Sequence, residues 1–440
     1  MSEAGASIAS EPLSFVARWQ RFAALWTPQT LALTARGLTT FAVGVWLYEK
    51  THSATLYSLL SVSTMLPGVV AAPLIGWAVD RLGARRALLL ADAAALVVGA
   101  SLILLFHRSL TSPVPLYLVL SVGGVLTAMQ WPAYTALVTT VAPPKHLSRA
   151  AALMQLGYVG QQVIAPALAG VLLGWIGVAG VVGLDVAMSA LAFGSLCLLP
   201  VANQPTARQT SVRQDVRAAL TLTKERGLLR LAGYIIASYL PGGFVLVLAT
   251  PLVLTLAGPE ALGLVLSVMG VGMLAGSVIA SGFAAPQGGV RRLLRYDALL
   301  AIAMLGACIA TSAALVSAVG FLFLFGLGGI MAEEQAVWQV RIPLEAQGRV
   351  FALRRALTWA SLPVSYALAG PLADHVFKPA MSKGGALAPL LGPVFGVGPG
   401  RGIALLLVCG GLVKGSVVLW GTFDRKLRAL DVPPSAQAAP

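Results

Sequence analysis

The sequence predicts an all-α integral membrane protein of twelve transmembrane helices, arranged as two six-helix halves. Three observations predict it. Of 440 residues, 58% are hydrophobic and only 10% charged, with a mean hydropathy of +0.84, which leaves too little polar surface for a water-soluble globule. The apolar residues gather into runs of about the 20 residues an α-helix needs to cross a bilayer. The two halves also look alike. A constant offset of 200 relates Pro143, Arg149, Ala152, Leu153, Ala167, Leu168, Ala169 and Gly170 to Pro343, Arg349, Ala352, Leu353, Ala367, Leu368, Ala369 and Gly370. Asp92 and Asp297 each follow an arginine, Arg86 and Arg291, by six positions.

In chain order, residues 1–21 form a polar tail that lacks the basic start and short apolar region of a cleaved signal, so the first span is expected to be an uncleaved anchor. Six runs follow, at 22–48, 54–79, 86–106, 114–141, 149–175 and 178–200, and make the N-terminal bundle, 22–200. A polar linker, 201–228, precedes six more at 229–256, 260–284, 296–315, 317–341, 349–373 and 402–423. These make the C-terminal bundle, 229–424, and 425–440 form a C-terminal tail.

Between the second and third runs lies a short polar hinge, Gly76-Trp-Ala-Val-Asp80-Arg81-Leu-Gly83-Ala-Arg85-Arg86. Gly83 suits a tight turn between antiparallel helices, and Asp80 stands where it can meet a neighbouring helix terminus. Three arginines beside span ends place this loop in the cytoplasm. The Gly-x3-Asp-Arg-x-Gly pattern with paired arginines resembles the signature loop of the major facilitator superfamily. Further stretches resemble the branch containing the enterobactin exporter and the macrolide efflux proteins: Phe41-Ala-Val-Gly-Val-Trp46-Leu-Tyr48-Glu49, Ala165-Pro166-Ala-Leu-Ala-Gly170, Val337-Trp338-Gln339, Gln347-Gly348-Arg349-Val-Phe-Ala352 and Gly370-Pro371-Leu-Ala-Asp374. The resemblance spans residues 22–424. It implies parallel six-helix repeats with a substrate site between them near mid-membrane. It also implies that Asp80 meets the start of the eleventh helix near Gly348 when the cytoplasmic side is closed.

The net charge of +14 would point to nucleic acid if the basic residues formed one patch. They are dispersed, and about 23 of the 30 fall on the cytoplasmic side with both termini inside, which is the positive-inside asymmetry of a bacterial inner-membrane protein. The linker carries Arg208, Arg213, Arg217, Lys224, Arg226 and Arg230 against Asp215 and Glu225, and is expected to hold a surface helix lying on anionic lipid headgroups. Neither a phosphate-cradling Gly-x4-Gly-Lys-Ser/Thr loop, His-Glu-x2-His nor Gly-x-Ser-x-Gly occurs. The chain is therefore read as no enzyme, with no cofactor and no metal, and as a monomer. Cys197, Cys308 and Cys409 all fall within spans and suggest no disulfide.

Ionisable residues inside spans carry the most functional weight, since each costs at least ~2.5 kcal/mol in hydrocarbon. Arg36 lies roughly 21 Å along the first helix, near its centre. Asp185 lies in the sixth span, and Glu333 and Glu334 in the tenth. These four are the candidates for proton coupling, with an Arg36 to Glu333/Glu334 ion pair expected in one access state and Arg341 as the partner of the other glutamate; the alternative is that Arg36 meets Asp185 or backbone carbonyls and only locks the first helix. Lys414 is expected to snorkel toward the cytoplasm. Asp92 and Asp297, near span ends, are expected to partner the hinge arginines.

The resemblance implies that the first, fourth, seventh and tenth helices line the cavity. That places Arg36, Gln130, Trp131, Tyr134, Tyr234, Tyr239, Gln335 and Trp338 there, a set suited to an amphipathic organic molecule. Pro166, Gly170, Gly272 and Gly276 are expected at close helix contacts, Pro166 with a local bend. The segment around Pro166 resembles an antiporter motif, with Gln161, Ala165 and Ala169 where glycines would stand. The fourth span, 114–141, holds none of the arginine that drug/proton antiporters of the superfamily carry there. The function expected is proton-coupled export of a small amphipath such as a siderophore, a macrolide or a peptide natural product. The alternatives are a lipid or lysolipid facilitator, or a receptor on the same fold.

Overall fold

A computed structural model describes residues 15–108, 112–159, 161, 164–201, 203, 212–282 and 289–431. The expected tails, 1–21 and 425–440, lie largely outside this set. The helices are α1 (Phe15–Thr51), α2 (Ala54–Leu82), α3 (Ala84–His107), α4 (Val114–Ala128), α5 (Gln130–Val141), α6 (Leu147–Val159), α7 (Ala165–Leu198), α8 (Val212–Glu225), α9 (Leu229–Leu256), α10 (Pro259–Gly282), α11 (Val290–Leu305), α12 (Ala313–Arg341), α13 (Leu344–Pro371), α14 (Lys378–Ala380), α15 (Ala388–Phe395), α16 (Arg401–Phe423) and α17 (Arg425–Arg428). Helix is the form that satisfies every backbone N–H and C=O within its own segment in hydrocarbon.

Nine helices among the described residues are long and apolar enough to cross a membrane. The shortfall from twelve has local causes. The fifth and sixth expected spans run together through α7, which bends at Gly177 (φ 64°, ψ 179°). The ninth stops early, α11 giving way at Leu305 to a 3-10 turn over Gly306–Ile309, so the boundary with the tenth falls at 310–312 rather than 316. The eleventh, α13, carries Glu345, Arg349, Arg354 and Arg355. The fourth span is continuous in direction but divided into α4 and α5 at Met129.

Packing sorts the helices into two groups. In the first, α1 and α3 pack on α7, and α2 and α3 on α4; in the second, α10 and α11 pack on α12, α11 and α9 on α16, and α9 on α13. The groups meet through α2 against α13 and α7 against α10. The sites Gly272 and Gly276 face α12 so closely that a Cβ would lie 2.5 Å from the Phe321 carbonyl oxygen and 1.9 Å from that of Phe325. Small residues at such seams let helix backbones approach.

Candidate functional site

At the hinge, Gly83 (φ 82°, ψ 151°) both ends α2 and begins α3. The turn is sealed by a residue the sequence reading missed. Asn203, from the linker, donates through Nδ2 to the Leu82 carbonyl (2.6 Å) and accepts from the Arg86 amide (3.3 Å). Arg85 donates to the carbonyls of Leu196 (3.2 Å) and Cys197 (3.1 Å), the negative end of α7. Arg81 lies over the Trp77 ring at 5.2 Å, one turn past Gly76. Gly348, the expected meeting point for Asp80, is exposed, with nothing within 4 Å of where a side chain would begin.

At the far end the two bundles are joined. Asp374, just beyond α13, accepts from Ser53 Oγ (2.7 Å) and from the amides of Ala54 (3.1 Å) and Thr55 (2.7 Å), the free N–H groups that open α2. Lys378 Nζ pairs with Asp374 Oδ1 at 2.6 Å and reaches the His52 carbonyl at 3.3 Å. Burial acts to raise the carboxyl of Asp374, but the bonds from Lys378, Ser53 and Thr55 outweigh it and hold it at about 2. One turn earlier Gly370 packs on α2, where a Cβ would meet Ser58 Oγ at 2.0 Å and the Ala54 carbonyl at 2.7 Å. At the second seam, Pro166 stands in the first turn of α7, and a Cβ on Gly170 would lie 3.1 Å from the Pro259 carbonyl oxygen of α10.

Inside the first bundle, α1, α3, α5 and α7 converge on one polar network. Arg36 donates to Gln130 Oε1 (2.8 Å) and to Ser189 Oγ (3.3 Å), and Ser189 donates to Asp185 (3.3 Å). Gln130 Nε2 donates to Gln29 Oε1 (3.1 Å) and to Asp92 (3.2 Å), and Gln29 Nε2 donates to Asp92 (2.6 Å). All but Arg36 are buried. Asp92 therefore faces Gln29 and Gln130, not the hinge arginines as expected, because its helix turns it inward. The network holds two carboxylic acids and one guanidinium.

The second bundle repeats the arrangement with different chemistry. Asp297 accepts from Ser238 (2.8 Å) and Tyr234 and pairs with Lys414 Nζ at 2.6 Å. Lys414 also donates to Ser238 Oγ (2.6 Å) and to the Ser238 carbonyl (3.1 Å). Lys414 is 1% exposed and Asp297 0%. This corrects two expectations: Lys414 does not snorkel, and Asp297 does not serve a hinge arginine, since each compensates the other in the core. Tyr234, Asp297 and Gln335 each follow Gln29, Asp92 and Gln130 by 205 positions.

The expected pair of Arg36 with Glu333 or Glu334 is not formed here. Glu333 pairs with Arg292 at 2.9 Å and accepts from the Gly289 amide (3.0 Å). Glu334 pairs with Arg354 of α13 at 3.5 Å, and the same guanidinium donates to Gln335 (2.6 Å) and lies over Trp338 at 5.7 Å and Phe351 at 5.2 Å. Arg341, the suggested partner for the second glutamate, instead donates to the Leu430 carbonyl. Tyr239 lines a small cavity with Ser238, Gly242, Gly243, Phe323 and Lys414. Tyr134 is fully buried against Trp131, their ring centroids 6.4 Å apart, so it belongs to the core of its bundle more than to an open cavity. Arg354, Gln29, Ser189 and Ser238 were not anticipated. Arg354 alone carried a signal, as a charge well inside the eleventh run.

Two helical bundles that enclose buried charge networks and meet along two seams define a membrane transporter rather than an enzyme. The sequence profile of the Major Facilitator Superfamily matches residues 25–366, and the chain belongs to that family. It is 24% identical over 372 residues to macrolide efflux protein A of Streptococcus pyogenes, covering 81% of this chain and 90% of that one. It is 26% identical over 374 residues to the uncharacterized MFS-type transporter YfiS of Bacillus subtilis, covering 79% and 85%. Among solved structures it resembles an inward-facing, unoccupied bacterial homolog of the human lysosomal transporter Spinster, with a TM-score of 0.68 and 15% identity over 96% of this chain and 100% of that chain. It also resembles an inward-facing bacterial homologue of the iron transporter ferroportin, with a TM-score of 0.68 and 12% identity over 92% and 99%. These structural likenesses show the fold alone.

Proposed function

We propose that this multi-pass membrane transporter exports an amphipathic organic molecule by proton-coupled alternating access, with the hinge end in the cytoplasm of a bacterial cell. The hinge arginines support that sidedness. The aromatic and amide side chains on α5, α9 and α12, and the macrolide efflux relative, favour a cargo of the macrolide kind over a sugar or an inorganic ion.

The observation that carries the coupling is the charge count of the first bundle's network. Asp92 and Asp185 share one guanidinium, Arg36, through Gln130 and Ser189. An ionised carboxylate without a compensating cation costs at least ~2.5 kcal/mol in hydrocarbon, so the acid that Arg36 does not serve takes up a proton. Movement of α1 that turns Arg36 from one acid toward the other exchanges which of them is protonated. Glu333 and Glu334, each held by an arginine, are left to position the cargo side, with Arg354 and Trp338. In proteoliposomes with an imposed pH gradient, Asp185→Asn, Asp92→Asn or Arg36→Gln should abolish proton-driven accumulation while exchange of cargo at equal pH persists. Wild-type pH dependence in all three variants would sink the assignment.

A further inference from the structure

Gln29 of α1, Asp92 of α3 and Gln130 of α5 close a three-membered ring inside the first bundle's network. Gln130 Nε2 donates to Gln29 Oε1 (3.1 Å) and to Asp92 Oδ1 (3.2 Å), and Gln29 Nε2 donates to Asp92 Oδ2 (2.6 Å). The ring is buried, with Gln29 and Asp92 1% exposed and Gln130 4%. Each contact is therefore required to set a donor against an acceptor, since no water stands by to relieve a mismatch. A carboxamide has one donor end and one acceptor end, so a ring of two carboxamides and one acid has a single full solution. Both Asp92 oxygens accept, Gln130 turns Nε2 inward, and its Oε1 faces out. That is the arrangement present, and the outward Oε1 is the atom that holds Arg36, at 2.8 Å. A protonated Asp92 offers one donor and one acceptor, and every orientation of the two amides then leaves a contact mismatched. The second bundle has no such ring, since Tyr234 stands where the repeat puts Gln29, Gln335 is held by Arg354, and Lys414 pairs with Asp297.

We propose that Gln29 and Gln130 are positioning residues that decide which of the two acids, Asp92 or Asp185, carries the proton they share. While the ring is closed, Asp92 is the ionised acid and the proton is on Asp185. The proton reaches Asp92 only when α1 or α5 draws away from α3 and the ring opens. The inference rests on the shared-proton reading above and supplies the device that ties proton position to helix movement. The helices around the ring carry Arg36 (α1), Tyr134 (α5) and Asp185 (α7) in mid-span, and α2 and α4 carry their titratable groups at their ends. In both states the network holds one guanidinium, one carboxylate and one carboxylic acid, so its net charge does not change as the proton moves. One mismatched buried contact sets the size of the effect: ring closure favours the proton on Asp185 by about 5- to 150-fold, and protonating Asp92 favours ring opening by the same factor.

The test is infrared spectroscopy of the purified protein at pH 7, reading the C=O stretch of protonated carboxyl groups, which differs between Asp and Glu. In the wild-type background Asp185→Glu should displace that band, because the proton is on residue 185. In a Gln130→Met or a Gln29→Met background the ring cannot close, and Asp185→Glu should leave the band in place, the proton having moved to Asp92 by about 5- to 150-fold. Either methionine variant serves if the other fails to fold. The exchange Gln29→Glu/Asp92→Asn moves the carboxylate to the other side of the ring and again allows every contact to match. In that background Asp185→Glu should displace the band once more, which a merely structural role for the amides would not produce. A band that follows Asp185→Glu equally in wild type and in both methionine variants, or that ignores it in wild type, would overturn the role of the ring alone. A wild-type spectrum with no protonated-carboxyl band would overturn the ring and the shared-proton reading together.

Discussion

Replacing Lys414 by Met removes the cation from a carboxylate that is 0% exposed. Asp297 would keep its bonds from Ser238 and Tyr234 but lose the 2.6 Å ion pair, and Ser238 would lose the donor that now engages its own hydroxyl and carbonyl oxygens. Breaking one member of a buried pair costs about 3 to 5 kcal/mol, because the remaining charge is left uncompensated in a low dielectric. Removing both charges costs far less and is often close to neutral. Lys414→Met and Asp297→Asn should therefore each destabilise the folded protein by about 3 kcal/mol or more relative to Lys414→Met/Asp297→Asn, measured by reversible unfolding in mixed micelles. The double variant should also keep wild-type pH dependence of transport, since the pair pins α9, α11 and α16 together and proton coupling is assigned to the other bundle. Singles within about 1 kcal/mol of wild type, or a double variant as unstable as the sum of the singles, would refute the reasoning.

Gly83→Ala combines a φ of 82° and ψ of 151°, a region open essentially to glycine alone, with a Cβ 2.5 Å from Asn203 Oδ1, so it should cost about 1 to 3 kcal/mol and lower the thermal midpoint, with Asn203→Ala restoring part of the loss by clearing the space. Gly276→Ala places a Cβ 1.9 Å from the Phe325 carbonyl oxygen, which forces α10 from α12 and should cost about 1 to 3 kcal/mol in the same assay. The Asp374 carboxyl is held at about 2 in the folded protein, against about 3.9 when free. Its contribution to stability is thus fully present above about 3.9 and fades as pH falls through about 2, so Asp374→Asn should lower the thermal midpoint equally at pH 5 and pH 8. A loss seen at pH 8 and absent at pH 5 would contradict the assignment.

The all-helical class and nine apolar helices of membrane length among the described residues were legible because bilayer thickness imposes a length on each apolar run, and the turn between α2 and α3 because Gly83, Asp80 and the arginines interrupt that pattern sharply. Arg36 was legible as a charge at mid-helix depth. What its depth could not reveal was its partner, since depth along the helix axis does not say which neighbouring helix the side chain meets. The same ambiguity hid Lys414: a lysine on α16 can face water by snorkelling or face the core, and only packing against Asp297 decides. Asp92 and Asp297 were legible as a repeat-related pair, but not their partners, because the 205-residue offset links Gln29 to Tyr234, two side chains without chemical likeness. Asn203 sits in a polar linker where nothing marks it as the cap of a turn more than a hundred residues earlier. The short apolar helix α15 reads in sequence as loop, being far below span length.

The central claim is that an ion gradient, not nucleotide, moves cargo through this fold. The direct measurement loads proteoliposomes of the purified protein with a panel of radiolabelled macrolides and siderophores, and follows accumulation under an imposed pH gradient without ATP. The account predicts that at least one panel member accumulates against its gradient, that the accumulation collapses with a protonophore, and that Asp185→Asn abolishes it. Accumulation that appears only when ATP is supplied, or that persists undiminished with the protonophore, would contradict the account.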